Sequence, residues 1–114
     1  MKQEDIEQIK LCEWLKNRTD LPFFSIANQR KCNPQYGNLL KRMGVRAGVS
    51  DLMLPRSTNE YHGTFIELKT TSGKLSPLQQ EFLDDMNKED YAAVCCYGAD
   101  AAIAFIQTIY NLPR

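Results

Sequence analysis

Two short apolar segments that carry charged residues constrain the fold of this chain more than any other feature. Residues 52–54, Leu-Met-Leu, follow Asp51 directly, and residues 64–69 read Thr-Phe-Ile-Glu-Leu-Lys. Side chains alternate along a strand, so Glu67 and Lys69 share one face. Burying a lone charge costs on the order of several kcal/mol unless something compensates for it. If the two strands pair, we expect two carboxylates and one ammonium group to meet at one point.

A divalent cation is the compensating group that this pattern favours. The carboxylates of Asp51 and Glu67, with the main-chain carbonyl of Leu68, are hard oxygen ligands of the kind that Mg²⁺ and Mn²⁺ prefer. Such an ion activates water and stabilises charge on a phosphodiester, and Lys69 would position the nucleophile beside it. The pattern therefore predicts metal-dependent phosphodiester hydrolysis. The alternative is a solvated ion pair between Glu67 and Lys69, with Asp51 in a turn.

Length and composition predict one ordinary globular domain over residues 1–114. The chain is 43% hydrophobic and 25% charged, with a net charge of zero. A domain of this size is small for an enzyme that works alone, which favours a dimer. The N-terminus, Met-Lys-Gln-Glu-Asp, is polar, and no apolar stretch approaches the length of a membrane span. We therefore expect a cytoplasmic protein without a membrane partner.

The charges are unevenly distributed along the chain. Asp51 is the only acidic residue between positions 28 and 56, whereas Lys88 is the only basic residue between positions 81 and 100. This asymmetry suggests one side that faces phosphate and one solvated side. Candidates for nucleic-acid contacts are the basic residues Arg30, Arg46 and Lys74, because cationic side chains suit phosphate. Chance clustering of solvated charges is the alternative.

Cysteine and histidine chemistry is not favoured by the spacing of these residues. The four cysteines are Cys12, Cys32, Cys95 and Cys96, and they lack the C-x₂-C pairs of a zinc site. The single histidine, His62, lies in a turn-like segment away from any nucleophile. We interpret the cysteines as unreactive thiols and His62 as a loop residue.

The predicted elements alternate between helices and strands. Hydrophobic periodicity and capping signals place them as follows: a helix from Gln3 to about Asn17 with a wide apolar face (Ile6, Ile9, Leu11, Cys12, Trp14, Leu15), a strand over 23–27, a short helix over 38–43, the two charged strands, a helix from Pro77, a strand over 91–97 and a helix over 100–112. This order predicts the α/β class, with a mixed central β-sheet flanked by α-helices.

Two further polar residues are candidates for the same site. Glu7 stands four residues before Leu11 on a partly apolar stripe of the first helix. We interpret it as an additional carboxylate directed at the metal, although an acid near a helix N-terminus also interacts with the helix dipole. Gln79 completes a capping box with Ser76 at the start of the later helix, which also carries it towards the site. Capping alone accounts for Gln79 as well.

The motifs together resemble the virus-type replication-repair nuclease (VRR-NUC) domain of the PD-(D/E)xK nuclease superfamily. The resemblance rests on the segments 44–52 (GVRAGVSDL), 61–69 (YHGTFIELK) and 73–79 (GKLSPLQ), which occur in the family's order. It implies that Asp51 and Glu67 bind the metal, that Lys69 assists the attacking water, that Glu7 is the helix carboxylate and that Gln79 lies beside the site. Ser50 departs from the family, which usually has proline there.

The resemblance also implies a function and partners. Free-standing members are typically encoded by phages, form homodimers and have been likened to enzymes that cut four-way DNA junctions. The implied activity is an Mg²⁺-dependent DNA endonuclease, with Mn²⁺ as a substitute, that is selective for branched DNA. A noncatalytic nucleic-acid-binding or assembly module with the same fold is the alternative. Glu4 and Glu13 lie in the same window as Glu7, and Glu13 is the least favoured helix carboxylate.

Overall fold

The computed structural model describes residues 1–27 and 34–114, which form four helices and four strands. Their bounds are α1 Gln3–Arg18, β1 Phe24–Ser25, α2 Pro34–Arg42, β2 Leu52–Leu54, β3 Thr64–Lys69, α3 Pro77–Lys88, β4 Ala92–Tyr97 and α4 Ala99–Ile109. The predicted α/β order is confirmed. The first strand is shorter than predicted and α2 is longer, beginning at Pro34.

The strands form one mixed sheet in the order β1-β2-β3-β4. The β1–β2 and β2–β3 pairs are antiparallel, whereas β3 and β4 are parallel and are connected through α3. Leu52 pairs with Ile66, and Glu67 pairs with Cys95. The predicted mixed sheet with flanking helices is therefore confirmed, and the strand that carries Glu67 lies inside the sheet.

The two faces of the sheet bury different sets of side chains. One face packs on α1 and α4 through fully buried leucine and isoleucine side chains, which are Leu52, Leu54, Ile66 and Leu68 from the strands with Leu11, Leu15 and Ile106 from the helices. The other face packs on α3, where Phe65 meets Phe82 edge to face. Because side chains alternate along β3, Glu67 lies on the α3 face with Phe65.

The apolar face of α1 is narrower than predicted. Leu11 and Leu15 are buried, but Ile6 and Ile9 are 43% and 45% exposed. The six apolar residues of α1 span more of the helix than its contact with the sheet and α4 requires, so the first two of them remain outside the core. The α4 helix likewise buries only one side: Ala99, Ala102 and Ile106 are fully buried, whereas Ile109 is only half-buried.

The α2 helix carries exposed apolar side chains. Tyr36 and Leu39 are 45% and 46% exposed, although Leu40 of the same helix is half-buried. Met43, which directly follows the helix, is 70% exposed. In residues 1–27 and 34–114, no helix is both long enough and apolar enough to cross a membrane.

The described cysteines are free thiols. Cys12 and Cys95 are half-buried and Cys96 is buried, while Cys32 lies outside the described residues. His62 is exposed in the segment between β2 and β3, and its ring contacts that of Tyr91 at an interplanar angle of 59°. Burial of the Cys95 thiol beside Glu67 raises its pKa, which keeps it in the unreactive thiol form.

Candidate metal centre

Asp51 lies at the point where the pairing of β2 with β3 ends. The last paired residues are Leu52 and Ile66, and beyond them the Asp51 carboxylate, instead of a main-chain group, bonds to β3. Its Oδ2 accepts a hydrogen bond of 2.7 Å from the Leu68 amide. The side chain thus occupies the place of a main-chain partner, and Asp51 is only 8% exposed. This contact holds the carboxylate against the edge of β3.

Glu67 is a buried carboxylate whose negative charge is only partly compensated by its neighbours. It is 2% exposed, and its Oε2 lies 3.8 Å from the Lys69 ammonium and 3.4 Å from the side-chain amide nitrogen of Gln79. Burial, reinforced by the negative charge of Asp51, raises the pKa of Glu67 to about 8. Near neutral pH the carboxyl group therefore retains a proton that a bound cation would displace.

Glu4, and not Glu7, is the α1 residue that joins these carboxylates. One carboxylate oxygen from each of Glu4, Asp51 and Glu67 lies within 4.8 Å of the others. A helix turns by about 100° per residue, so Glu4 points along the mean direction of the buried Leu11 and Leu15, whereas Glu7 points about 60° away from it. This angular relation emerges only once the structure shows that Leu11 and Leu15 are the buried residues of α1.

Glu7 lies instead at the start of α4. Its Oε1 accepts a hydrogen bond of 2.8 Å from the Ala99 amide. The expected role of Glu7 as the helix carboxylate of the site is therefore corrected: the docking of α1 directs Glu7 to α4 and Glu4 to the strands. Glu13 is exposed and lies outside the group formed by Glu4, Asp51 and Glu67.

The main-chain carbonyl of Leu68 is directed to the edge of β3 at which Asp51 lies. The amide and carbonyl groups of a strand residue point to one edge, and the edge alternates along the chain. The Lys69 carbonyl accepts from Gly98 on the β4 side, while the Leu68 amide donates to Asp51 on the β2 side. The Leu68 carbonyl is therefore directed towards the β2 side, where the Asp51 carboxylate lies.

Gln79 performs both of the roles considered for it. Its side-chain oxygen accepts from the Ser76 amide at 2.9 Å and its own amide donates to the Ser76 hydroxyl at 3.2 Å, which completes the capping box of α3. Its side-chain nitrogen also reaches Glu67. Capping fixes the orientation of the Gln79 side chain, so the start of α3 is tied to the buried carboxylate.

Gly48 permits the loop before β2 to lie against α3. It has a φ of +87°, and a Cβ at this position would come within 2.6 Å of the main chain of Leu78. Only glycine accommodates both the backbone conformation and this approach. The loop, α2 and the carboxylates together line a cavity of about 450 Å³, whose polar lining includes Glu4, Asp51, Glu67, Lys69 and Gln79.

The three basic residues predicted to contact nucleic acid have different surroundings. Arg46 pairs with Asp85 at 2.7 Å, and its guanidinium group lies 5.3 Å from the ring centroid of Phe82. Arg46 thus ties the loop to α3, and a phosphate contact would require this pair to open. Lys74 is exposed, and Arg30 lies outside the described residues.

The residues of this centre fit a hard divalent cation. The grouped donors are all carboxylate oxygens, and the Leu68 carbonyl is directed to the same edge of β3. Such oxygen ligands suit Mg²⁺ or Mn²⁺ better than a thiophilic metal. The raised pKa of Glu67 indicates that its negative charge lacks sufficient compensation from Lys69 and Gln79. A cation would supply that compensation.

Comparisons with known proteins identify the family of this chain. The family model of the VRR-NUC domain matches residues 1–100. A solved structure described as a VRR_NUC domain protein aligns with a TM-score of 0.76 and 29% identity, covering 98% of this chain and 91% of that one. No curated protein matches the chain. The chain belongs to the VRR-NUC domain family, and its function is of the nuclease type.

Proposed function

We propose that this protein is a divalent-metal-dependent DNA endonuclease, with Mg²⁺ as the cofactor and Mn²⁺ as a substitute. The observation that carries the proposal is the convergence of Glu4, Asp51 and Glu67 beside Lys69 in one cavity. Three carboxylates in such close proximity repel a phosphate group unless a cation lies between them and the phosphate. That repulsion argues against a noncatalytic nucleic-acid-binding module, which has no use for such a group.

Each residue has a defined task in this proposal. Asp51, Glu67 and Glu4, with the Leu68 carbonyl, would hold the metal, which supplies activation of water and stabilisation of charge on the phosphodiester. Lys69, with a side chain that is 13% exposed, orients the attacking water and offsets negative charge. Gln79 holds the Glu67 carboxylate in place. Lys74 is exposed and would contact the DNA backbone outside the cavity.

A nicking assay tests the activity. Supercoiled plasmid is incubated with Mn²⁺ or Mg²⁺ and the wild type, Lys69→Ala or Lys88→Ala. Lys88 is the matched control, because it is an exposed lysine in the last turn of α3, at the opposite end of that helix from Gln79. Nicking by the wild type and Lys88→Ala, lost in Lys69→Ala, is the expected result. Binding of DNA without cleavage by the wild type would favour the noncatalytic alternative.

We also propose that branched DNA is the preferred substrate. The proposal rests on the resemblance to free-standing family members and on the lack of a predicted base-reading element, which favours recognition of the backbone and its shape. Four-way junction, flap and linear duplex substrates of shared sequence are compared at equal concentration. Faster cleavage of the junction is expected, and equal rates on all three substrates would contradict the selectivity.

A homodimer is proposed on the basis of α2. Leu39 of this helix and Met43, which directly follows the helix, are exposed and form part of an apolar surface of the kind that contacts between subunits cover. Leu39→Glu is expected to convert a dimer to a monomer in light scattering coupled to gel filtration. Ile9→Glu is the matched control, since Ile9 is 45% exposed and Leu39 46% exposed. Loss of the dimer only in Ile9→Glu would place the interface on α1 instead.

A further inference from the structure

Glu7 connects three elements that surround the carboxylate group. Its Oε1 accepts from the amide of Ala99, the first residue of α4. The preceding residue, Gly98, donates its own amide to the Lys69 carbonyl at 3.0 Å. Hydrogen bonds therefore run from α1, through the start of α4, to the end of β3. The end of β3 carries Glu67 and Lys69.

The start of α4 depends on this carboxylate. The N-cap residue is Gly98, which has no side chain to accept from the first amides of the helix. Glu7 supplies the acceptor and a negative charge near the helix N-terminus. A Cβ on Gly98 would lie 3.2 Å from Glu7 Oε1, so the carboxylate uses the space that glycine leaves. The second oxygen, Oε2, accepts from the Gln3 side chain at 3.1 Å.

Glu4 lies one turn of α1 before Glu7, and its reach into the site depends on where α1 docks. Three residues of helix correspond to a rise of about 4.5 Å and a rotation of about 300°. A small shift or rotation of α1 would therefore move Glu4 away from Asp51 and Glu67, which are held by the sheet. The bond from Glu7 to Ala99 opposes such a shift, because both ends of it lie on well-packed elements.

We infer that Glu7 is a positioning residue, whose contact with the start of α4 places Glu4 within the carboxylate group. The inference rests on the proposed metal site, since Glu4 is there a proposed ligand. Glu7 itself lies outside the carboxylate group and would not hold the metal. Its effect is exerted through the position of α1.

Two conservative variants separate the effect of the length of the Glu7 side chain from the effect of its charge. Glu7→Gln keeps the length of the side chain and an oxygen that accepts from Ala99, but removes the charge. Glu7→Asp keeps the charge but is one methylene too short to reach Ala99 with α1 in place. If Glu7 acts through its hydrogen bond to Ala99, the Gln variant keeps Glu4 in the carboxylate group and the Asp variant does not. If it acts as a remote negative charge, the order is reversed.

Binding of Mn²⁺ alone, measured by calorimetry without DNA, is the readout. We expect Glu7→Asp to lose about tenfold or more in affinity, as is typical when a residue that supports a ligand is altered, whereas Glu7→Gln stays close to the wild type. Glu13→Gln is the control, because it changes an exposed glutamate on the same helix. Circular dichroism checks that each variant is folded.

Wild-type affinity in Glu7→Asp, or an equal loss in Glu7→Gln and Glu7→Asp, would overturn the inference. If the wild type binds no Mn²⁺, the proposed metal site fails on its own, and metal-free crystal structures then test the positioning. Glu4 should leave the carboxylate group in Glu7→Asp and remain there in Glu7→Gln. An unmoved Glu4 in Glu7→Asp would refute the role of Glu7 even then.

Discussion

Replacing Glu67 with glutamine should stabilise the metal-free protein, and the gain should grow with pH. Glu67 is 2% exposed and lies beside Asp51 and Glu4. In the folded protein its pKa is raised from 4.5 to about 8, chiefly by burial. Glutamine has nearly the same shape and cannot ionise, so the buried negative charge is removed at high pH while the packing is retained.

The sign and size of the effect follow from proton linkage. Between pH 4.5 and about pH 8 the folded wild type holds a proton on Glu67 that the unfolded chain has released. The stability that this proton represents is complete below pH 4.5 and is lost as pH rises to about 8. One pKa unit corresponds to about 1.4 kcal/mol, so the free energy of unfolding should fall by roughly 3 to 6 kcal/mol. The free energy of unfolding of Glu67→Gln should not show this fall.

Urea denaturation followed by circular dichroism at pH 5, 7 and 9, in metal-free buffer, measures the difference. The free energy of unfolding of Glu67→Gln minus that of the wild type should increase across this range. Glu13→Gln, which changes an exposed carboxylate, should show a constant difference. Parallel pH profiles for Glu67→Gln and the wild type would refute the reasoning, because they would mean that the buried carboxylate is already compensated.

Four other predictions can be tested by the same denaturation measurement. Mn²⁺ at a hundred times its Kd should add about 2.7 kcal/mol to the wild type at pH 8 and little to Glu67→Gln; equal gains would argue against Glu67 as a ligand. Gly48→Ala should lose about 3 kcal/mol, because the added Cβ meets backbone at 2.6 Å; a loss under about 1 kcal/mol would contradict this. Ser50→Ala should gain about 1 kcal/mol, since the buried Ser50 hydroxyl has no partner among the described residues; a clear loss would reveal one. Arg46→Ala should lose about 1 kcal/mol, and a double-mutant cycle with Asp85→Asn should show coupling near 0.5 kcal/mol.

Local signals in the sequence predicted most of the elements around the site. The β3 strand was predicted at its observed bounds, because alternating side chains mark a strand that has one apolar face. The start of α3 was predicted from Ser76 and Pro77, because capping involves only neighbours in the chain. The apolar face of α1 was predicted too wide, since the periodicity of a helix does not reveal how much of it the core covers.

The amino-acid sequence by itself determined the mixed sheet and the pair of acids beside a lysine, because spacing along strands decides which side chains share a face. Only the tertiary structure decided which glutamate of α1 joins Asp51 and Glu67. Glu4 and Glu7 are one turn and about 60° apart, and either could face the sheet until α1 docks. Docking is set by distant contacts, among them the bond from Glu7 to Ala99 and the burial of Leu11 and Leu15, which a local pattern cannot encode.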